Sequence, residues 1–296
     1  MTTATPEQES AFTHLALGAA SYDTQFKEDL NKANNQFADH SIFVQQKANE
    51  DTALLSTLRG DLPALVTQRA SSRVGLTHQH IDRAGLDFTQ LPFQKVRDLA
   101  HKGAEVELDP SYESVSMDES IRPIINEYPN VIARHAITLH SKGRAIFLDK
   151  NNTTVKQCIK ELSFLPLHLA PKPDAIEGRL CIDPSHPPKP TQVPFNSDHT
   201  INAANLKYGK SAPPQIDDIM TAFTTYVYKN GYKWSDCRLW KEDVNSAFPQ
   251  ISMAYQSTIK MAIALTSSII MLLLSGSFGW SGMPAAYQVV ATAILA

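Results

Sequence analysis

The sequence predicts an α+β fold, in which a mainly helical N-terminal region precedes an antiparallel sheet packed on helices. Apolar residues recur at helical spacing in the first part of the chain, whereas short apolar runs typical of strands begin near residue 145. The chain has 296 residues, and 43% of them are hydrophobic. That length is enough to bury a core and allows two domains or one large one.

The first 118 residues are predicted to form an acidic, mainly helical region of unknown role. A weak helical stripe runs through residues 12–26, a break follows at 60–63, and shorter helices follow over 64–105. One of these covers 93–103 and ends at Gly103, which suits a C-cap. Residues 105–121 are acidic and contain Ser and Pro, so they are interpreted as a linker.

The second half is predicted to alternate helices and strands. A helix and turn over 121–143 lead to a strand at 145–148 and a helical segment at 153–162. Two antiparallel strands joined by a basic loop follow at 165–183. After a proline-rich stretch, the pattern predicts a helix at 214–230 and a strand at 237–244.

An apolar run at 261–275 allows two interpretations. At about fifteen residues it is shorter than the roughly twenty that a membrane-spanning helix needs. Three hydroxyl residues interrupt the run, and its β-branched residues suit buried strands. We therefore expect strands here and no stable membrane association.

Asp243 is a candidate ligand for Mg²⁺. It lies where the strand at 237–244 would end, so its carboxylate would be held rigidly and still reach solvent. Mg²⁺ prefers such oxygen ligands and keeps substrate phosphates in its coordination shell. An ordinary aspartate at a strand end fits the same pattern, so the neighbouring residues decide between the two interpretations.

Three strings of residues carry a family resemblance. Residues 243–251 read DVNSAFPQI, residues 278–288 read FGWSGMPAAYQ, and residues 169–183 read LAPKPDAIEGRLCID. In chain order, the strings at 169–183, 243–251 and 278–288 resemble the fingers hairpin and the first and second palm motifs of reverse transcriptases. The resemblance covers about residues 120–296. It divides that part into a fingers-like subdomain at 119–235 and a partial palm at 236–296.

The resemblance implies a role for each matched residue. Asp243 would be the catalytic metal ligand, helped by the carbonyl of Val244. Residues Ala247 and Phe248 complete that motif, and the ring of Phe248 would lie beneath the incoming sugar and exclude a 2′-hydroxyl. The remaining nucleotide-binding positions would be Gly279 and Trp280 near the template base pair and Lys172 and Arg179 on the triphosphate.

The resemblance also implies partners and a defect. The function would be RNA-directed DNA polymerase, a retrotransposon nucleotidyltransferase that uses Mg²⁺, dNTP and an RNA or DNA template–primer. No paired-aspartate motif follows residue 288, so the chain is expected to be a fragment, truncated after the second palm motif and inactive alone. A neighbouring reading frame would supply the missing palm and thumb. The alternative is a non-catalytic nucleic-acid-binding or interaction protein that reuses the fold.

Charge and cysteine usage bear on partners and location. Acidic residues outnumber basic ones before residue 119, and basic residues outnumber acidic ones from residue 119 onwards. This distribution fits a C-terminal part that binds the phosphates of a nucleic acid. An uneven scatter of charges by chance gives the same distribution. Three cysteines without CxxC spacing and no signal-peptide pattern indicate an intracellular protein, cytoplasmic or nuclear. A zinc site at His78 and His80 is disfavoured, because no partner follows at ligand spacing.

Overall fold

A computed structural model describes residues 23–108, 114–172, 175–185, 216–233, 235 and 246–295. These residues form a mixed α+β structure, as the sequence predicts. The N-terminal helices are α1 (23–36), α2 (Ser41–Thr57), α3 (Leu62–Ala70), α4 (His78–Arg83) and α5 (Leu91–Lys102). The later helices are α6 (Met117–Ser120), α7 (Ile124–Glu127), α8 (Pro129–Ser141), α9 (Thr153–Cys158), α10 (Ile216–Lys229), α11 (Tyr255–Lys260) and α12 (Gly282–Leu295).

Four of the strands form one sheet. They are β1 (Ala145–Asp149), β2 (Phe164–Leu165), β5 (Ala262–Ala264) and β6 (Ile269–Leu273), in the spatial order β1-β6-β5-β2. β6 pairs antiparallel with β1 and with β5, whereas β2 pairs parallel with β5. The strand predicted at 145–148 and the strands predicted within 261–275 are confirmed.

Both faces of this sheet are buried, which explains why its strands are continuously apolar. Phe147 and Met271 point into a core cluster that also contains residues of α2 and α8. Their neighbours Ile146 and Leu272 point into a second cluster on the other face, with residues of α3 and α9. A strand with water on neither face needs apolar residues at every position.

Among the helices of the described residues, none combines the length and the hydropathy that a membrane span requires.

A separate two-stranded hairpin carries the basic residues of the fingers string. β3 (Leu167–Lys172) pairs antiparallel with β4 (Ala175–Ile182), and Ala170 lies opposite Arg179. The predicted hairpin is therefore confirmed. Its apolar residues Leu167, Leu169 and Ile182 belong to the cluster that contains Phe147. The hairpin is thus anchored on one face of the main sheet.

Three segments differ from the sequence-based expectation. The helix predicted after residue 121 is broken into α7 and α8, because Pro129 has no backbone N–H for an internal helical bond. The segment interpreted as a linker buries Val106 and Val115 and forms α6, whose capping box joins Ser116 and Glu119. Helix α12 begins at Gly282, whereas the resemblance implies a helix that starts at Pro284, so this proline falls in the first turn.

The predicted boundary at residue 118 stays a prediction. The larger core cluster contains Val44 and Leu99 from before that position together with Phe147 and Trp280 from after it. The N-terminal helices and the sheet therefore share a core.

A buried carboxylate joins the N-terminal helices to the sheet. Asp51 on α2 is fully buried. Its Oδ2 accepts hydrogen bonds from the backbone N–H of Phe147 (2.9 Å) and from Nε2 of His140 (3.0 Å), and its Oδ1 forms an ion pair with Arg69. Four elements, α2, α3, α8 and β1, therefore meet at one side chain.

Candidate functional site

The residues that the resemblance singles out fall partly within the described structure. Asp243 and Val244, together with the strand predicted at 237–244, lie outside the described residues. The other six candidates are described: Lys172, Arg179, Ala247, Phe248, Gly279 and Trp280.

A line of ring contacts joins the three motifs. The guanidinium carbon of Arg179 lies 4.6 Å from the ring centroid of Phe278. The ring of Phe278 lies 5.0 Å from that of Phe248, and the ring of Phe248 lies 6.2 Å from that of Tyr287. These separations are typical of cation–π and aromatic pairs. Residues about a hundred positions apart in sequence thus form one contiguous surface.

The backbone brings the hairpin and the second palm string together as well. The N–H of Ile182 donates to the carbonyl of Phe278 at 3.2 Å. Gly279 has a φ of +108°, and a Cβ atom there would collide with the carbonyl oxygen of Ile182. Only glycine combines this φ with such a close approach of two backbone segments. Gly279 therefore sets how closely the strand β4 packs on the residues before α12.

The Phe248 segment packs on the same loop. A short 3₁₀ turn covers Phe248–Gln250, and the N–H of Gly276 donates to the carbonyl of Ile251 at 2.9 Å. Ser246, just before the turn, has a φ of +55°, an uncommon conformation for a residue other than glycine. Such backbone positions concentrate at functional sites. Ala247 lies between Ser246 and Phe248, and thus within this constrained turn.

Trp280 supports the site from within the core. Its side chain is 2% exposed and belongs to the same cluster as Phe147. The ring also occupies the space next to Gly282, where a Cβ atom would collide with it. Trp280 therefore holds the start of α12 against the sheet. A direct contact between this residue and a nucleotide stays a prediction.

The two cations lie on one hairpin, next to a partly buried histidine. Lys172 on β3 pairs with Ala175 next to the hairpin turn. Arg179 on β4 pairs with Ala170, which lies two residues before Lys172 on β3. His135 on α8 lies beneath β4, with Nε2 3.3 Å from the carbonyl oxygen of Glu177. Burial lowers the pKa of His135, an effect that the nearby cations Arg134 and Lys172 reinforce and that the Glu177 contacts oppose. A neutral imidazole that donates Nε2–H to this carbonyl fits that environment.

Stability is expected to fall in acid because of His135. Since its pKa is lower in the folded protein than its ordinary value near 6.5, the unfolded chain binds the proton more tightly. The stabilisation is present above about pH 6.5 and is lost as the pH falls through the folded-state pKa. Urea unfolding at about pH 7.5 and about pH 5.5 measures this loss. H135Q should reduce the pH dependence, whereas H168Q, at an exposed histidine of β3, should leave it unchanged.

The described residues contain no reactive thiol in this region. Cys181 on β4 is buried, and burial raises the pKa of its thiol to about 11. A thiol with so high a pKa is neutral at physiological pH and is a poor nucleophile. The chemistry available on the hairpin is therefore electrostatic binding by Lys172 and Arg179.

The metal expectation concerns residues outside the described ranges. Within those ranges, no group of three or more His, Cys, Asp or Glu side chains converges so as to hold a metal ion. The Mg²⁺ expectation rests on Asp243 and Val244 and stays a prediction.

Sequence reasoning missed the contacts that connect the motifs. The resemblance identified Arg179 as a phosphate-binding cation and Phe248 as the ring beneath the sugar, but Phe278 entered only as part of a motif. The contact of Arg179 with the ring of Phe278 depends on how β4 packs against the residues before α12, and no sequence pattern predicts that packing.

A comparison with models of known protein families gives no match, and neither does a comparison with curated proteins.

Proposed function

We propose that the chain is the fingers and first palm part of a retroelement-derived reverse transcriptase, an RNA-directed DNA polymerase. The observation that supports this most is the line of contacts Arg179–Phe278–Phe248, because each residue comes from a different motif of the resemblance. Motifs matched by chance have no reason to meet in space. The proposal places the protein inside the cell, in the cytoplasm or nucleus.

In this proposal the hairpin binds the triphosphate of a dNTP. Phosphoryl transfer is accelerated mainly by cations positioned on the phosphate oxygens. Phe278 holds the guanidinium of Arg179 over its ring by a cation–π contact, which restrains the side chain that would bind the phosphate. Lys172, exposed near the hairpin turn, adds a mobile point charge. The ring of Phe248, wedged between Phe278 and Tyr287, would close the space that a 2′-hydroxyl needs.

Mg²⁺ would be held by the carboxylate of Asp243 and the carbonyl of Val244. When bound, it supplies positive charge at the phosphate oxygens during transfer. Two-metal catalysis needs several carboxylates around ions about 3.5–4 Å apart. Among the 296 residues, Asp217 and Asp218 are adjacent but precede Asp243, and no aromatic-x-Asp-Asp string follows residue 288. Asp243 alone does not complete such a site.

The 296-residue polypeptide is therefore expected to bind substrates without extending a primer. An RNA template annealed to a DNA primer is incubated with the protein, Mg²⁺ and dNTPs, and the products are separated by length. We expect no extension above the level of a D243N variant. Robust extension by the chain alone, abolished in D243N, would show that the chain is catalytically complete.

Nucleotide binding tests the hairpin directly. In the double variant K172A/R179A, dNTP affinity is expected to fall by about tenfold or more, because two charge-assisted contacts are lost. The control K156A/K160A removes two exposed charges from the α9 region, on the opposite face of the sheet. Equal effects of the two double variants would contradict a specific site on the hairpin.

The alternative, a non-catalytic nucleic-acid-binding protein, gives a different result. Such a protein would bind an RNA–DNA duplex with strong salt dependence, because released counterions drive the association. It would not bind dNTP, and K172A/R179A would affect it no more than K156A/K160A does. The two functions are thus separated by the same pair of variants.

A further inference from the structure

A cleft next to the end of the 243–251 string is lined by basic side chains. It has a volume of about 380 Å³ and lies between the end of α3, residues 73–79, the end of α5 and residues 252–255. Its basic residues are Arg73, His78, His101 and Lys102, and we call it the basic cleft. None of its lining residues is Asp or Glu. Hydroxyl and amide groups add further polar contacts, from Thr67, Ser71, Thr77, Gln79, Ser252 and Tyr255.

Two buried arginines give the base of the basic cleft an excess of positive charge. Arg73 is 7% exposed and Arg144, which lies behind it, is 4% exposed. Arg73 donates to the carbonyls of Gln250 and Leu76, and Nε of Arg144 donates to the carbonyl of Val74. Among the described residues, no carboxylate forms an ion pair with either guanidinium within 4.0 Å.

This excess charge makes an anion favourable at the cleft. Burial, with the neighbouring charge of Arg144, lowers the pKa of Arg73 to about 10, so its guanidinium stays protonated at neutral pH. Carbonyl partners satisfy the hydrogen bonds of a buried cation but do not neutralise it. A buried charge is stabilised most when an opposite charge lies close by.

The rim of the basic cleft offers donors for such an anion. The imidazole rings of His78 and His101 lie 5.0 Å apart, next to Lys102 on the last turn of α5. Carboxylates outside the lining contact two of these residues. Asp82 lies 3.4 Å from His101, and Asp98 lies 4.0 Å from Lys102 and compensates part of its charge. His78 has no such acidic contact among the described residues. The cleft thus keeps the uncompensated charge of Arg73, and the imidazole of His78 in the same lining is a further hydrogen-bonding group.

We propose that the basic cleft binds the phosphate of a small phosphate monoester. A dianionic phosphate matches the two permanent charges of Arg73 and Lys102 better than a singly charged phosphodiester does. The volume lies within the range of small-molecule sites, about 300–1,000 Å³, and leaves room for a small organic group beside the phosphate. The proposal is independent of the polymerase function, since the cleft shares no residue with the three motifs.

The test is calorimetric titration of the 296-residue protein at constant ionic strength with three probes. They are glycerol 3-phosphate, dimethyl phosphate and a single-stranded oligonucleotide. We expect glycerol 3-phosphate to bind at least about tenfold more tightly than dimethyl phosphate, because the monoester carries the larger charge. No measurable binding of glycerol 3-phosphate would overturn the proposal. Displacement of glycerol 3-phosphate by the oligonucleotide would assign the cleft to backbone phosphates and would also overturn it.

Variants locate the binding to the basic cleft. His78 and Lys102 are exposed, so H78A and K102A should leave the fold intact and weaken glycerol 3-phosphate binding by about fivefold each. The matched control is K95A, which removes an exposed lysine of the same helix α5 that does not line the cleft. Its effect should stay within about twofold. If K95A weakens binding as much as K102A does, the monoester binds through general charge and the proposed site is wrong.

Discussion

Replacing Gly279 with alanine is expected to destabilise the fold strongly. The free energy of unfolding should fall by about 3 kcal/mol or more, the range seen when overpacking and backbone strain combine. The added Cβ would collide with the carbonyl oxygen of Ile182, and the φ of +108° is unfavourable for any residue with a side chain. Because both atoms in the collision are held by backbone, a side-chain rotation cannot relieve it. Urea unfolding measures the loss.

The G85A variant separates the two causes. Gly85 also has a positive φ, +65°, but an added Cβ there has no atom within 4 Å. Its cost should therefore be conformational only, about 1 kcal/mol. If G279A and G85A lose equal stability, the close approach of β4 to the residues before α12 does not contribute. A weaker affinity of G279A for dNTP, with G85A unchanged, would link this approach to the proposed binding site.

Replacing Asp51 with alanine is expected to cost about 3–5 kcal/mol, the range for breaking a buried ion pair by removing one partner. The carboxylate is fully buried and joins Arg69, His140 and the N–H of Phe147. Removing it leaves a buried backbone donor unsatisfied and takes away the acceptor of two basic side chains. Thermal unfolding followed by circular dichroism, together with urea unfolding, measures the change.

The control for this variant is D98A. Asp98 lies on the surface of α5, where its only ion pair in the described structure is a 4.0 Å contact with Lys102 between two exposed side chains. Its replacement should change stability by no more than about 0.5 kcal/mol. If D51A is as mild as D98A, the network at Asp51 does not fasten the N-terminal helices to the sheet.

Helices and strands could be predicted from the sequence wherever a short-range pattern of apolar and turn residues determines them. The strand at 145–148 and the hairpin at 165–183 could be predicted because their apolar residues are bounded by turn residues. The helix that ends before Gly103 could be predicted because glycine suits its φ of +78°. The segment 105–121 was misjudged, because its composition is that of a linker while Val106 and Val115 find partners elsewhere in the core.

The residues of the candidate site could be predicted from the sequence, but their arrangement on one surface could not. The resemblance identified Lys172, Arg179 and Phe248 one by one. Their relative positions depend on the docking of the hairpin on the loop before α12, which involves contacts between residues far apart in the chain. The basic cleft was equally hidden, because Arg73 and Lys102 are unremarkable until the fold brings them together.

The amino-acid sequence thus established the α+β class, the strand character of the apolar run at 261–275 and the order of the three motifs. These follow from periodicity and from residue types over short windows. Only the tertiary structure decided that both faces of the sheet are buried, that Asp51 is a junction, and that Arg179 contacts the ring of Phe278. The physical reason is that burial and close contact are properties of pairs of segments, and a local pattern carries no information about its partner.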